Sequence, residues 1–439
     1  MRFHIGMTLS SAFPSEQAPW SVGFGKGAAS AVPRWLVVDD AALAAEGRAL
    51  PWRRVFSRAL LVRLVVVLVL ITGSSVAQSA GKYIGYIGTY TEGTGSKGIY
   101  AFRYDATIGQ VAMTGLAAET TNPSFVAIHP NGRFLYAVNE LQNYKGPNSG
   151  GVSAFAVDRA TGKLTFLNEV PSHGADPCYI IVDKEGKHVL VANYTGGSVA
   201  VFPIKDDGSL GEATAFVQHT GHGTNPQRQE GPHAHSIDLS RDERFAYVDD
   251  LGLDETLVYK YDAAKGTLTP NDPPFAKLDP NTGPRHFVLR PDAKFAYVLG
   301  EMGHSVTVFA NNATNGSLEK LQTISTLPAD FSGRNDDAEI EVHPSGKFLY
   351  ASNRGHESIA AYAIDPAKGT LTLIEIASTG GKEPRSFEID PTGKLLFAEN
   401  QKSDGIVVFK IDQKTGKLTS TGQTIDVASP VCVKFVKLE

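Results

Sequence analysis

From about residue 83 onward, short apolar runs alternate with turn residues. The stretch from Val342 to Leu371, VHPSGKFLYASNRGHESIAAYAIDPAKGTL, shows the unit most clearly. An apolar run enters a His-Pro-Ser-Gly turn. Phe348 to Ser352 alternates and ends in Asn353-Arg354, Ile359 to Ile364 alternates again, and Asp365 to Gly369 turns into a third run. Runs this short, bounded by Gly, Pro, Asn and Asp, predict strands rather than helices. The second run and its turn recur at Ile99, Val152, Val199, Thr256, Val306, Ile359 and Ile406. The aromatic anchors of these copies are Phe102, Phe155, Phe202, Tyr259, Phe309, Tyr362 and Phe409, spaced 47 to 57 residues apart. A strand-built repeat of roughly 40–50 residues is the signature of propeller blades. The expected fold is therefore all-β, a seven-bladed β-propeller.

The ends of the repeat predict how the ring closes. A turn ending in Pro opens six of the blades: Asn122-Pro123, Asp176-Pro177, Gly231-Pro232, Gly283-Pro284, Glu383-Pro384 and Ser429-Pro430. The copy at Asp336-Asp337-Ala338 lacks the Pro. Only one strand, Val431 to Val436, follows the last of these turns, while Tyr83 to Gly88 matches the second strand of a blade. The C-terminal strand is thus expected to pair with the three N-terminal strands. Such closure removes the exposed edges of an open array.

Hairpin connections also decide which residues share a face. The Pro turns and the ends of the second strands fall on one rim. The His-Pro and Asp-x-x-x-Gly turns fall on the other. The far rim repeats with little change (HPNG at His129, HPSG at His343, DPTG at Asp390), which reads as turn chemistry. The near rim varies, and it gathers His233, Arg285, Glu301, Glu339, Arg354 and Arg385. Such residues converging on a channel mouth make a candidate pocket. Paired arginines suit a carboxylate or phosphate. The segment His219 to Ser236, HTGHGTNPQRQEGPHAHS, offers His219, His222, His233 and His235, but their spacing matches no zinc pattern. No metal and no cofactor is expected.

Upstream of Tyr83 the pattern changes. Leu64 to Ile71 is wholly apolar, Arg53, Arg54, Arg58 and Arg63 precede it, and Ser75-Val76-Ala77 follows. This reads as a secretory signal peptide over residues 53–77, and the apolar run is well short of the roughly 20 residues a spanning helix needs. Arg53-Arg54 also suits a twin-arginine signal. Residues 1–52 show no periodicity and read as an extension from a misplaced start. The propeller domain is assigned to 82–439, and the mature protein is expected in the periplasm or secreted, without a stable membrane span. Residues 1 to 80 carry eight Lys or Arg and four Asp or Glu, so the remainder of this −5 chain stands near −9. That charge disfavours nucleic acid as a partner. The three tryptophans, Trp20, Trp35 and Trp52, precede the repeats, which excludes a Trp-Asp-repeat propeller. Cys178 and Cys432 sit in opening strands of blades that are not neighbours, which argues against a disulfide.

GPHAHS (Gly231 to Ser236), GPRHFVLRPDAKFAYVLGE (Gly283 to Glu301), HPSGKFLYASNRG (His343 to Gly355) and EPRSFEIDPTGKLLFAENQ (Glu383 to Gln401) resemble the seven-bladed lactonase family. That family includes propeller-type 6-phosphogluconolactonase and 3-carboxymuconate-lactonising enzyme. The resemblance spans Tyr83 to Glu439. It implies hydrolysis or reversible formation of a lactone ring without a metal, with His233, Arg285, Glu301 and Arg354 as catalytic residues. Glu301 or His233 would be the base. His235, Glu339, Arg385, Asn193 and Asn353 are candidate substrate-binding residues. The implied partner is a small lactone or anionic sugar acid, met by a monomer. A phosphorylated sugar lactone is cytosolic, so export argues for a different lactone. The competing reading is an exported, non-catalytic propeller that binds a ligand or a cell-envelope partner.

Overall fold

The computed structural model describes residues 81–438, which form seven four-stranded antiparallel sheets. Blade 1 joins the C-terminal strand Pro430–Lys437 to Lys82–Thr89, Gly98–Asp105 and Gln110–Glu119. Tyr83 pairs with Lys437 and Ile87 with Val433, so the ring closes as the repeat ends require. Blades 2 to 7 begin with the inner strands Val126–Ile128, Pro177–Val182, Ala234–Leu239, Pro284–Leu289, Asp336–Val342 and Pro384–Ile389. Each inner strand packs against those of the two neighbouring blades, through to the C-terminal strand. The signal and extension assigned to residues 1–77 lie outside the described residues. No helix among the described residues is long and apolar enough to cross a membrane.

The repeated sequence positions dock one blade onto the next. Four of the second strands begin Phe-x-Tyr, among them those with Phe134/Tyr136, Phe295/Tyr297 and Phe348/Tyr350. The Phe ring lies under a turn glycine of the next blade: Phe134 under Gly208, Phe295 under Gly369, Phe348 under Gly416. These glycines have φ of +85°, +70° and +74°, and any Cβ there would stand within 2.5 Å of the ring. Glycine therefore answers both the turn and the close approach. The Tyr hydroxyls donate to the same three glycine carbonyls, at 3.1, 3.0 and 2.7 Å. His129 and His343 work the same way, with Nε2 3.0 Å from the Gly186 carbonyl and 2.7 Å from the Gly393 carbonyl. Both histidines belong to inter-blade turns on the far rim.

Between the blades, fully buried aromatic and aliphatic side chains fill the wedges. Phe102, Phe155, Phe202, Phe309 and Tyr362 are at most 1% exposed. Full burial of such a side chain stabilises by roughly 1.5–3 kcal/mol. Cys178 and Cys432 are both free and buried, in blades 3 and 1.

Candidate active site

Six inner strands break register at the near rim: blade 1 passes over Val431, blade 6 passes over Ala338 and Glu339, and four others slip at a single residue. The ladder slips between Pro177 and Tyr179, Ala234 and Ser236, Pro284 and His286, and Pro384 and Ser386. The extra residues are Cys178, His235, Arg285 and Arg385. A bulge leaves one residue out of the pairing and re-aims its side chain. Here all four converge on the mouth of the central channel. A cavity of about 400 Å³ opens there, lined among others by Tyr90, Glu140, His235, Glu301, Arg354 and Arg385. Phe125, Tyr179 and His286 lie close together deeper in the channel, with ring centroids 4.5 and 4.8 Å apart along the series.

Glu301 anchors one wall. It accepts from Arg228 Nη2 at 2.5 Å on Oε1 and from Arg285 Nε at 3.1 Å on Oε2, and Oε2 also forms an ion pair with Arg354 Nη2 at 2.9 Å. Burial pushes its carboxyl up, but Arg354, Arg285 and Arg228 more than offset this and hold it down at about 2. A carboxylate held this low is a weaker base than an ordinary one, and it stands amid three guanidinium groups. Arg285 is itself sequestered. Its Nη1 donates to the Ala338 carbonyl and to His286 Nε2. Burial, then Arg354 and Arg385, bring it down to about 10. His286 is in turn held by Glu339, with Nδ1 2.8 Å from Oε1. Burial dominates its titration and lowers it to about 4, so a neutral imidazole donates from Nδ1 and accepts from Arg285 at Nε2. Glu339 also accepts from Ser386 at 2.9 Å. It acts on Arg285 through His286 and is not among the residues that line the 400 Å³ cavity.

Blades 1, 2 and 7 build the facing wall. Glu140 accepts from the Tyr90 hydroxyl at 2.7 and 2.8 Å and from the Ser124 hydroxyl. Arg385 lies over the Tyr90 ring, 5.2 Å from its centroid, and its Nη2 is 3.7 Å from Glu140. His235 sits between the walls, its Nε2 4.0 Å from Glu301. Burial, with Arg285, His286 and Arg385 adding to it, drives His235 well below the ordinary imidazole range, so it is neutral. Cys178 packs against it with Sγ 3.7 Å from Nδ1. Burial pushes that thiol up, which keeps it protonated and unsuited to nucleophilic attack.

The structure brings Arg285, Glu301, Arg354, Arg385 and His235 to one place. Four of the expected site residues stand elsewhere: Glu339, behind His286, and His233, Asn193 and Asn353. His233 stacks on Tyr194, 4.7 Å between centroids, and its Nδ1 lies 3.1 Å from the Tyr194 carbonyl. It is not on the cavity wall, where His235 stands instead. The reason is register: Ala234, not Pro232, pairs at the position that Pro284 holds in blade 5. Asn193 and Asn353 are fully buried. Asn193 donates to the Ser172 carbonyl and Ser198, and Asn353 to the Thr326 carbonyl and Ser358. They tie strand ends to loops and are not among the residues that line the cavity.

Sequence reasoning also passed over Tyr90, Glu140, Tyr194 and Arg228 as site residues. The first three belong to the strand-end dipeptides that mark the near rim, so the same parity could have selected them. Arg228 comes from the long loop read for its histidines. Of those, His219 binds Asp250 at 2.6 Å and His222 is exposed.

The family described as Lactonase, 7-bladed beta-propeller, matches residues 84–435. The 6-phosphogluconolactonase of Bacillus subtilis is 40% identical over 355 residues, 81% of this chain and 99% of that protein. The 6-phosphogluconolactonase of Formosa agariphila is 33% identical over 306 residues, 68% of this chain and 84% of that protein. Among solved structures, the periplasmic gluconolactonase PpgL of Pseudomonas aeruginosa superposes with a TM-score of 0.75 at 35% identity, covering 81% of this chain and 99% of that one. With the match spanning all seven blades, this chain belongs to the seven-bladed β-propeller lactonase family.

Proposed function

We propose that the protein hydrolyses the lactone ring of a sugar acid in the cavity between the Glu301 and Glu140 walls. The observation that carries this reading is the set of guanidinium groups on the cavity wall, Arg228, Arg354 and Arg385, beside the neutral imidazole of His235. Ring opening puts negative charge first on the carbonyl oxygen and then on the product carboxylate. Fixed cationic donors in a partly dry site stabilise that charge without reorganising. Arg354 and Arg385 are the best placed, since both reach the cavity and both lie where burial strengthens their fields. Arg285 is fully enclosed and holds Glu301 in place. A non-catalytic scaffold has no need of this arrangement, and nothing in the site favours that alternative.

Kinship with enzymes named 6-phosphogluconolactonase and periplasmic gluconolactonase supports a sugar-acid lactone as substrate. The signal-like segment over residues 53–77 favours an exported enzyme and an unphosphorylated ring. Purified protein is offered glucono-δ-lactone, its 6-phospho derivative and a carboxymuconolactone, with acid release followed against the spontaneous rate. The unphosphorylated sugar lactone is expected to turn over fastest. A protein that accelerates none of the three refutes the lactonase reading, and one that prefers the phosphorylated ring refutes the substrate choice.

A further inference from the structure

We propose that Glu140, on the wall opposite Glu301, is the general base that activates the attacking water. This assignment rests on the lactonase reading above and names a residue for it.

The argument is one of elimination among the carboxylates that line the cavity: Glu140, Glu301, Asp336 and Glu383. Glu301 is enclosed by three guanidinium groups. Asp336 faces Arg334 at 3.2 Å and Arg228 at 3.6 Å. Glu383 is paired with Lys402 at 3.0 Å. A carboxylate already neutralised by cations gains little by taking a proton. Glu140 alone of the four is held mainly by neutral hydroxyls, those of Tyr90 and Ser124, with its nearest guanidinium contact at 3.7 Å. Its side chain is 16% exposed, against 7% for Glu301. Two hydroxyl donors leave spare acceptor positions on a carboxylate. His235 is the other candidate, but a proton placed there would sit beside Arg285, His286 and Arg385.

The water oxygen bonds to the lactone carbonyl carbon while its proton passes to Glu140. The carbonyl oxygen becomes an oxyanion beside the guanidinium groups. As the carbonyl re-forms, the ring C–O bond breaks and the leaving oxygen takes the proton back from Glu140. The acid formed then ionises, releasing one proton to solvent.

Parent protein, Glu140→Gln and Glu140→Ala are compared on the best lactone the parent accepts, with melting temperature beside each. Glu140→Gln retains an acceptor for the Tyr90 and Ser124 hydroxyls. It is expected to lower kcat by roughly 10²–10⁴-fold, with KM changed little and the melt preserved. Added formate should restore part of the turnover of Glu140→Ala, because a small carboxylate can occupy the vacated space. A structural role would show no such rescue. An active parent with an active Glu140→Gln overturns the assignment alone, as does an inactive Glu140→Ala that formate leaves unchanged. A parent inactive on every lactone overturns the lactonase reading and this assignment with it.

Discussion

Glu301 illustrates how one buried charge can govern its surroundings. Three arginines form ion pairs with its two oxygens. Removing one partner of a buried ion pair typically costs about 3–5 kcal/mol, because the other charge is left uncompensated. Glu301→Gln is therefore expected to lower the melting temperature as well as the activity. The pH dependence has a definite sign. The folded carboxyl is held at about 2, below its ordinary value of 4.5. Its stabilising contribution is present above the ordinary value and is lost as pH falls through the folded one. The gap between parent and Glu301→Gln should be full at pH 7 and narrow as pH falls toward 2. Thermal melts of both proteins from pH 3 to pH 7 read this directly. Coincident melts at pH 7 would show that Glu301 bears no such load.

At the scale of the strand, the bulges matter most. In a regular ladder Arg285 and Arg385 would alternate with their neighbours and point into the wedges between blades. The slip at Pro284/His286 and Pro384/Ser386 turns each toward the channel mouth. The closing strand is a second strand-scale feature. Pro430–Lys437 pairs with Lys82–Thr89 and packs against the inner strands of blades 2 and 7. Deleting residues 429–439 would expose strand edges on both sides of the gap and open the channel wall. Loss of the cooperative melt, or aggregation, is expected in calorimetry and light scattering. A truncated protein that melts like the parent would show that the ring does not depend on its closure.

At the scale of the whole molecule, the near rim varies from blade to blade while the far rim repeats. One face of the ring therefore carries a site and the other carries turns. The function proposed for that face depends on where the protein works. The segment over residues 53–77 predicts export, with cleavage after Ala77. Edman or mass-spectrometric analysis of the protein recovered from a cell fractionation should find a mature N-terminus near Gln78. An intact chain in the cytosol would refute export and return the phosphorylated lactone to first place.

The blade count, the closure and the gathering of Arg285, Glu301, Arg354 and Arg385 on one rim were all legible in the sequence. Each rests on local patterns, namely apolar alternation, turn residues and hairpin parity, that recur seven times over. The identity of the rim histidine was not legible. His233 and His235 both follow Pro232, and only the pairing of Ala234 with Asp250 decides which one is bulged. Nor could local pattern show that Asn193 and Asn353 turn away from the cavity, since their hydrogen-bond partners come from loops that pack at the blade ends. The enclosure of Glu301 by Arg228, Arg285 and Arg354 joins a loop to strands of blades 5 and 6. Titration depends on burial and on charges brought from far along the chain, so the depressed carboxyl of Glu301 could be read only from the tertiary structure.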